Sequence, residues 1–331
     1  MTRALALLRP FDALRIQWLR LLSPWVAPLF TNRERRVLWL GLISVLGSLV
    51  FTLFFPLLSI AVSPIVLGVP HLLSDVRYLV IRQQLHRNAL WLMLAGAPLV
   101  IASVIGAPEV SLLAIPATLA VTEGPWARRA PLLIVWLALT WLAMEFGYQF
   151  QFAFLHLHNV VGLVLWWSWR PRPGAHWAIP ALVFSASAAI LLGAADPLMS
   201  LLGPWLSVGG RFSFGELVEQ TAPVADGVMG ARLLLSFAFL QSVHYVVWLR
   251  LMPEDDRQRV APRSFRETFR QLMKEFSPPV LALVALLCFS LAMWALVDVG
   301  AARLGYLHVA GFHGYLELAI AARLLLQRRS A

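Results

Sequence analysis

Six of the eight histidines fall inside long apolar stretches: His71, His156, His158, His244, His308 and His313. Ionisable side chains cost a few kcal/mol each in a bilayer interior, so such a set marks a functional site by default. In Gly68-Val69-Pro70-His71-Leu72-Leu73-Ser74-Asp75, His71 and Asp75 are i and i+4. They share a helix face just after a proline that frees backbone groups. His313 and Glu317 stand in the same relation in Gly311-Phe312-His313-Gly314-Tyr315-Leu316-Glu317. Each pair suits a metal-binding imidazole whose second nitrogen donates to a carboxylate that fixes its tautomer. The blander alternative is two polar groups that hide each other between helices. In Phe154-Leu155-His156-Leu157-His158-Asn159 the two imidazoles lie about 200° apart around a helix, so only one faces a narrow site. His158 is the inward choice and His156 the reserve.

Gln241-Ser242-Val243-His244-Tyr245 presents a run of hydrogen-bonding side chains, which suits a polar interior face. A lone histidine there is more often a helix–helix hydrogen bond than a ligand, but four on four spans favour a metal. The candidate ligands are therefore His71, His158, His244 and His313, with His156 and His308 behind them. Asp75, Glu317 and Tyr245 are the candidate catalytic groups. At 1.5 Å per residue, His71 and His313 come out about 12 to 14 Å from the outer boundary, His158 about 9 Å and His244 deeper. A shared site in the outer half of the membrane follows from depth, while azimuth is left open. Imidazoles with a nearby carboxylate suit iron, zinc, copper or nickel, and the lack of clustered carboxylates argues against calcium or magnesium. Non-haem Fe2+ is preferred, because a lipid-embedded imidazole site suits oxygen chemistry on an apolar substrate that partitions from the bilayer.

The elements that must carry these residues are membrane helices. The chain is 60% hydrophobic and only 13% charged, with a mean hydropathy of +0.74, against roughly a quarter charged in an average soluble domain. About 20 apolar residues cross the hydrocarbon core. Runs of that order, bounded by charge, Pro or Gly, lie at 38–57, 63–81, 89–107, 109–123, 131–149, 152–168, 177–195, 230–250, 279–298 and 304–325. The fourth is short and carries Pro116, which suits a re-entrant or tilted segment. The expectation is an all-α polytopic bundle of about ten transmembrane helices, forming one domain from residue 38 to 331. Residues 1–37 precede it as a basic amphipathic segment on the anionic cytoplasmic leaflet. Arg3, Arg9, Arg15 and Arg20 interrupt every apolar run there that could serve a signal peptide.

The net charge of +10 raises nucleic acid as a partner. The arginines instead cluster between apolar runs, as the positive-inside rule requires, and no basic–aromatic groove pattern is present. With the N-terminus inside, inner segments hold Arg33, Arg35, Arg36, Arg82, Arg87, Arg128, Arg129, Arg170 and Arg172, then the arginines and Lys274 of 253–277, then Arg328 and Arg329. Outer connections offer little beyond Arg211 and Arg303. Both termini are therefore expected in the cytoplasm of a bacterial-type inner membrane. Residues 196–229, with Trp205, Phe212, Phe214, Gly209 and Gly210, suit an outer interfacial helix or lid, and 253–277 an inner surface helix. Cys288 is the only cysteine, which excludes an intrachain disulfide and a cysteine-rich metal site.

Gly68-Val69-Pro70-His71 followed by Asp75 resembles the Gly-x-Pro-His…Asp element of the Brp/Blh family, bacterial membrane-integral β-carotene 15,15'-dioxygenases. His244 followed by Trp248 and Pro253, and the last-span Gly311-Phe312-His313, fall in the order of that family's later histidines. The resemblance implies a polyhistidine-bound iron and cleavage of a carotenoid double bond. Leu72-Leu73 replaces the family's glycine–alanine pair, and Val76 its next histidine. Three function classes stay open on the residues alone: an iron-dependent oxygenase acting on a carotenoid or other lipid, a proton-coupled secondary transporter using intramembrane His, Asp and Glu, and a haem-binding electron carrier with bis-imidazole ligation.

Overall fold

The computed structural model describes residues 6–22, 29, 31–201, 207–208, 212–222, 225, 227–257 and 264–327. Helices dominate, beginning with α1 (Arg9–Leu21), α2 (Arg33–Phe54) and α3 (Pro56–Asp75), which continues as a π-helical turn over Val76–Ile81. The shorter α4 (Ala89–Ile105) and α5 (Pro108–Val121) follow. Then come α6 (Trp126–Phe146), α7 (Tyr148–Ser168) and α8 (Gly174–Leu191). After α9 (Asp196–Leu201), Ser207–Val208 and Phe212–Ser213 form a two-residue antiparallel ladder that leads into α10 (Phe214–Thr221). The long α11 (Gly227–Asp255) is followed by α12 (Phe265–Glu275), α13 (Pro278–Val297), α14 (Val299–Ala310) and α15 (His313–Gln327).

Eight helical segments are long and apolar enough to cross a membrane, with α14 and α15 counted as one. The spans expected at 89–107 and 109–123 are the shorter helices α4 and α5, packed against each other through Trp91 Nε1–H donating to Thr118 Oγ1 at 2.9 Å. The span expected at 304–325 is not continuous. It breaks at Gly311-Phe312, so His313 opens a new helix. Between α2 and α3 the break is a single residue, Phe55, because Pro56 lacks the N–H needed to continue a helix but is well suited to start one. Only 6% of the apolar windows of α6 and α13 is buried, so these two helices stand at the periphery with faces suited to lipid.

Ion pairs gather one end of the bundle. Arg36 and Arg257 both bind Glu254, and Arg170 bridges Asp255 at 2.8 Å and Glu34 at 2.9 Å. Arg172 pairs with Asp255 at 2.8 Å and stacks its guanidinium 3.7 Å from the Trp166 ring. Burial pulls Arg172 below its usual range, whereas for Arg170 burial is outweighed by Glu34 and Asp255, which raise it. Arg77 and Arg82 reach Glu275 of α12 at 2.5 and 2.9 Å. Segments around residues 33–36, 77–82, 170–172, 254–257 and 265–275 thus meet at one end, as the arginine alternation requires. The amphipathic pair α1 and α12 is joined there by Asp12, whose carboxylate accepts from the Phe265 N–H at 2.7 Å. The surface helix expected over 253–277 is α12. Arg3, Trp205, Gly209, Gly210, Arg211, Arg263, Arg328 and Arg329 lie outside the described residues.

Candidate metal centre

His71 on α3, His158 on α7, His244 on α11 and His313 at the start of α15 converge in the interior of the bundle. Ring centroids are 4.9 Å apart for His71–His244 and 4.8 Å for His71–His313. They are 5.2 Å apart for His158–His244, 4.9 Å for His158–His313 and 5.8 Å for His244–His313. One ring nitrogen from each of His71, His244 and His313 lies within 4.8 Å of the others. Nε2 of His71 and Nε2 of His244 are 3.0 Å apart.

Local backbone geometry sets the tautomers. His71 Nδ1–H donates to the Gly68 carbonyl at 3.2 Å, and His158 Nδ1–H to that of Leu155 at 2.7 Å. His313 Nδ1–H donates to the Ala310 carbonyl. In each case the acceptor is three residues earlier, which turns the Nε2 lone pair toward the cluster. His244 is positioned from the side. Its Nδ1 edge faces the Asn159 backbone and lies against Gly162, where a Cβ would stand 2.8 Å from that nitrogen. Gly162 is one turn beyond His158 on α7, and the missing side chain is what admits the neighbouring ring.

These residues fit a single metal ion. Bound through Nε2 at about 2.0–2.1 Å, an imidazole has its centroid about 3.2 Å from the ion, and tetrahedral directions then place centroids about 5.2 Å apart. The observed separations of 4.8 to 5.8 Å bracket that value.

The carboxylates stand elsewhere than the spacing suggests. Asp75 Oδ2 is 3.2 Å from Nε2 of His71, the inward nitrogen, and neither Asp75 oxygen makes a hydrogen bond. Glu317 does not pair with His313. It reaches across to α11, where Oε1 accepts from Trp248 Nε1–H at 2.8 Å and lies 3.4 Å from His244 Nε2. Backbone carbonyls take the outward nitrogens of His71, His158 and His313, and both carboxylates, each fully buried, stand against the inward nitrogens of His71 and His244.

Neither a family model, nor a characterised protein, nor a solved structure matches this chain.

The two reserve histidines are not in the cluster. His156 points to the opposite side of α7, its Nδ1–H donating to the Phe152 carbonyl at 2.9 Å and its ring 5.1 Å from that of Phe237. The roughly half-turn separation of positions two apart on one helix makes this unavoidable once His158 faces inward. His308 is exposed and lies over Gly106, because the break at Gly311 ends its helix before the cluster. Tyr245 stands beside the site with its ring 5.0 Å from that of His71, and its hydroxyl accepts from Gln241 Nε2–H at 3.1 Å.

Four further residues shape the centre. Trp248 holds Glu317, and Gly162 makes room for His244. Ser74 Oγ–H donates to the Trp248 carbonyl at 2.7 Å, tying α3 to α11 beside the site. Tyr306 lies over Gly68, where a Cβ would be 2.3 Å from its ring, and its hydroxyl oxygen is 3.4 Å from His71 Nδ1. Trp248 could be found from its i+4 relation to His244. Gly162 and Tyr306 carry no such signal, since their value lies in a neighbour on another helix.

Two of the helices widen into π turns just past site residues, at Val76–Ile81 after Asp75 and at Val247–Leu251 after His244. Such bulges recur at functional sites because they shift side-chain register without ending the helix. A cavity of about 250 Å³ reaches the cluster. His158 and His313 form part of its wall, and Phe154, Leu155, Leu307 and Tyr148 line it with apolar and aromatic surface.

Proposed function

We propose that this chain is a metalloenzyme of the membrane, an iron-dependent oxygenase whose substrate is an apolar lipid of the carotenoid kind. The observation that carries the reading is the convergence of His71, His244 and His313, one ring nitrogen of each within 4.8 Å of the others, with the His158 ring beside those of His244 and His313 at 5.2 and 4.9 Å and an apolar cavity next to them. When bound, iron would supply one-electron chemistry toward dioxygen, for which imidazole and carboxylate ligands with an open position are the usual setting. The four imidazoles would hold it, with Asp75 and Glu317 balancing its charge.

The protein's own groups have separable tasks. Trp248 keeps the Glu317 carboxylate turned toward His244. Gly68 and Leu155 hold two of the ligand rings by their carbonyls. The cavity wall of Phe154, Leu155 and Leu307 orients an apolar chain and excludes water next to His158 and His313. Its volume is below the 300–1,000 Å³ usual for whole drug-sized ligands, so it suits the reacting stretch of a longer molecule. The Brp/Blh resemblance supports the same reading through Gly68, Pro70, His71 and Asp75. Orientation is part of the proposal: the ion-paired, arginine-rich end faces the cytoplasm of a bacterial-type inner membrane, with both termini on that side. After replacement of Cys288, cysteines introduced at Arg263 and Ser200 should react from opposite sides.

A proton-coupled transporter is the second reading, favoured by two buried carboxylates that face imidazoles and, among the described residues, no arginine or lysine. A bis-imidazole haem has less in its support. It needs a clear plane between its axial rings, and around His158 and His313 the rings of His71 and His244 occupy that space. Purification in detergent with metal analysis and a visible spectrum separates the three. Stoichiometric non-haem iron is the expected result; a Soret band would assign a cytochrome, and neither signal would leave the transporter.

A further inference from the structure

Four arginines are buried among the described residues: Arg36, Arg77, Arg257 and Arg303. The first three each bind a carboxylate, Glu254 or Glu275. Arg303 is the exception. It is only 3% exposed, no described carboxylate lies within ion-pair distance, and its Nε makes no hydrogen bond. A guanidinium inside a membrane bundle without a counter-ion costs several kcal/mol, and such a residue marks a functional site by default.

Around it stand hydroxyl and amide groups, with the Asp75 carboxylate within electrostatic reach of both Tyr245 and Tyr306. Arg303 lies within electrostatic reach of Tyr245, whose hydroxyl is within hydrogen-bonding reach of Tyr306. Gln241 donates to Tyr245, and its own Oε1 is buried without a partner. Tyr306 in turn stands 3.4 Å from His71. The group is thus polar and one tyrosine away from the metal cluster. Asp298, the nearest acid in sequence, is turned outward to cap α14 by accepting from the Ala301 N–H at 2.9 Å. On α14 the residue one turn after Arg303 is Leu307, and Leu307, Ala310 and Gly311 line the cavity beside His313. Arg303 therefore begins the helix face that continues as the cavity wall.

We propose that Arg303, with the hydroxyl of Tyr245 and the amide of Gln241, is a subsite for the carboxylate of an amphipathic lipid, a long-chain fatty or isoprenoid acid whose chain follows the α14 face into the cavity. A planar guanidinium suits a planar carboxylate, with charge-assisted hydrogen bonds about twice as strong as neutral ones. This goes beyond the reading above by giving the lipid an acidic end, and it rests on that reading only for the place of the chain.

The test is equilibrium binding to the purified full-length protein in an uncharged detergent, with cis-parinaric acid as the fluorescent probe. Oleic acid, oleyl alcohol and acetate are the competitors. Oleic acid should displace the probe roughly 10- to 100-fold better than oleyl alcohol, the range expected for hydrogen bonds to a charged group. Arg303→Met should abolish that preference, and Arg303→Lys should keep part of it. Gln241→Leu leaves Arg303 in place and should reduce the preference without removing it, which covers the case in which Arg303→Met does not fold. Equal competition by acid and alcohol in the wild type, or an acid preference that survives in Arg303→Met, would overturn the proposal. Competition by acetate as strong as that of oleic acid would overturn the lipid and leave a small-anion site. Metal content, measured on the same samples, reports separately on the metal reading, since Arg303 makes no contact with the four histidines and Arg303→Met should retain the metal.

Discussion

Gly162→Ala is the smallest change that should reach the metal centre without touching a ligand. The new Cβ would stand 2.8 Å from His244 Nδ1 and 3.0 Å from Trp248 Nε1, where ordinary contact begins at 3.4 Å. The His244 ring must therefore retreat by about 0.6 Å, about three times the ±0.2 Å tolerance on a metal–ligand distance. It cannot retreat freely, because its other edge faces the rings of His71 and His158 at 4.9 and 5.2 Å. Trp248, pushed at the same time, is the residue that holds Glu317. Overpacking of this size costs about 1–3 kcal/mol, or roughly 5- to 150-fold in metal affinity if it falls on the bound state. Gly47→Ala is the matched control, since nothing lies within 4 Å of its added Cβ. Metal dissociation constants from chelator competition, with thermal unfolding measured on the same proteins, give the comparison. A Gly162→Ala protein that holds metal as tightly as Gly47→Ala would mean that His244 is not a ligand in this position.

The remaining expectations concern the neighbours. His71→Ala and His313→Ala should lose the metal, whereas His156→Ala and His308→Ala should keep it; metal analysis on the four variants checks both halves at once. Trp248→Phe removes the one hydrogen bond to Glu317 and should weaken metal binding about 10- to 100-fold with the fold intact. Asp75→Asn and Glu317→Gln should retain the fold and part of the metal, and a protein whose metal is untouched while transport activity vanishes would favour the transporter. At the arginine-rich end, Arg36→Met removes one of the two arginines on buried Glu254 and leaves Arg257, so it should cost less than the about 3–5 kcal/mol of a fully unpaired buried charge, read as a lower unfolding temperature in detergent with metal content per folded molecule unchanged.

The sequence made the helices and the histidines visible for a simple physical reason. Apolar runs and buried titratable groups are one-dimensional signals, and depth along a helix follows from counting residues. His71, His158, His244 and His313 could therefore be assigned a common layer before their directions were known. The 200° between His156 and His158 allowed only one of the pair to face inward, without choosing which. The helix ends were less legible. Phe55-Pro56 and Gly311-Phe312 break apolar runs in which hydropathy sees no interruption, and α4 and α5 look like spans to a window that ignores their length. Tyr306, Gly162 and Arg303 act across helices, so nothing in their own segments announces them.

The carboxylates show where counting fails and why. His71 and Asp75 do share a face, as i and i+4 require, and the contact of 3.2 Å follows. His313 and Glu317 have the same spacing, yet Glu317 meets His244 and Trp248 instead. The difference lies in the backbone. His71 sits within a continuous helix, one residue past Pro70, and its outward nitrogen is taken by the Gly68 carbonyl. His313 opens α15 after the break at Gly311, so its ring folds back onto Ala310 while Glu317 is carried one turn further along the new axis. The break thus separates two tasks that a continuous helix would have merged. It frees His313 for the cavity wall beside His158, and it sends Glu317 to His244 and Trp248 on α11. Imidazoles from four helices then surround one point, with an acid approaching from α3 and another from α15. Closing the break is therefore the change that should undo both at once: a helix run straight through 311–313 would carry His313 and Glu317 off together, and the centre would lose a nitrogen and a carboxylate in a single step.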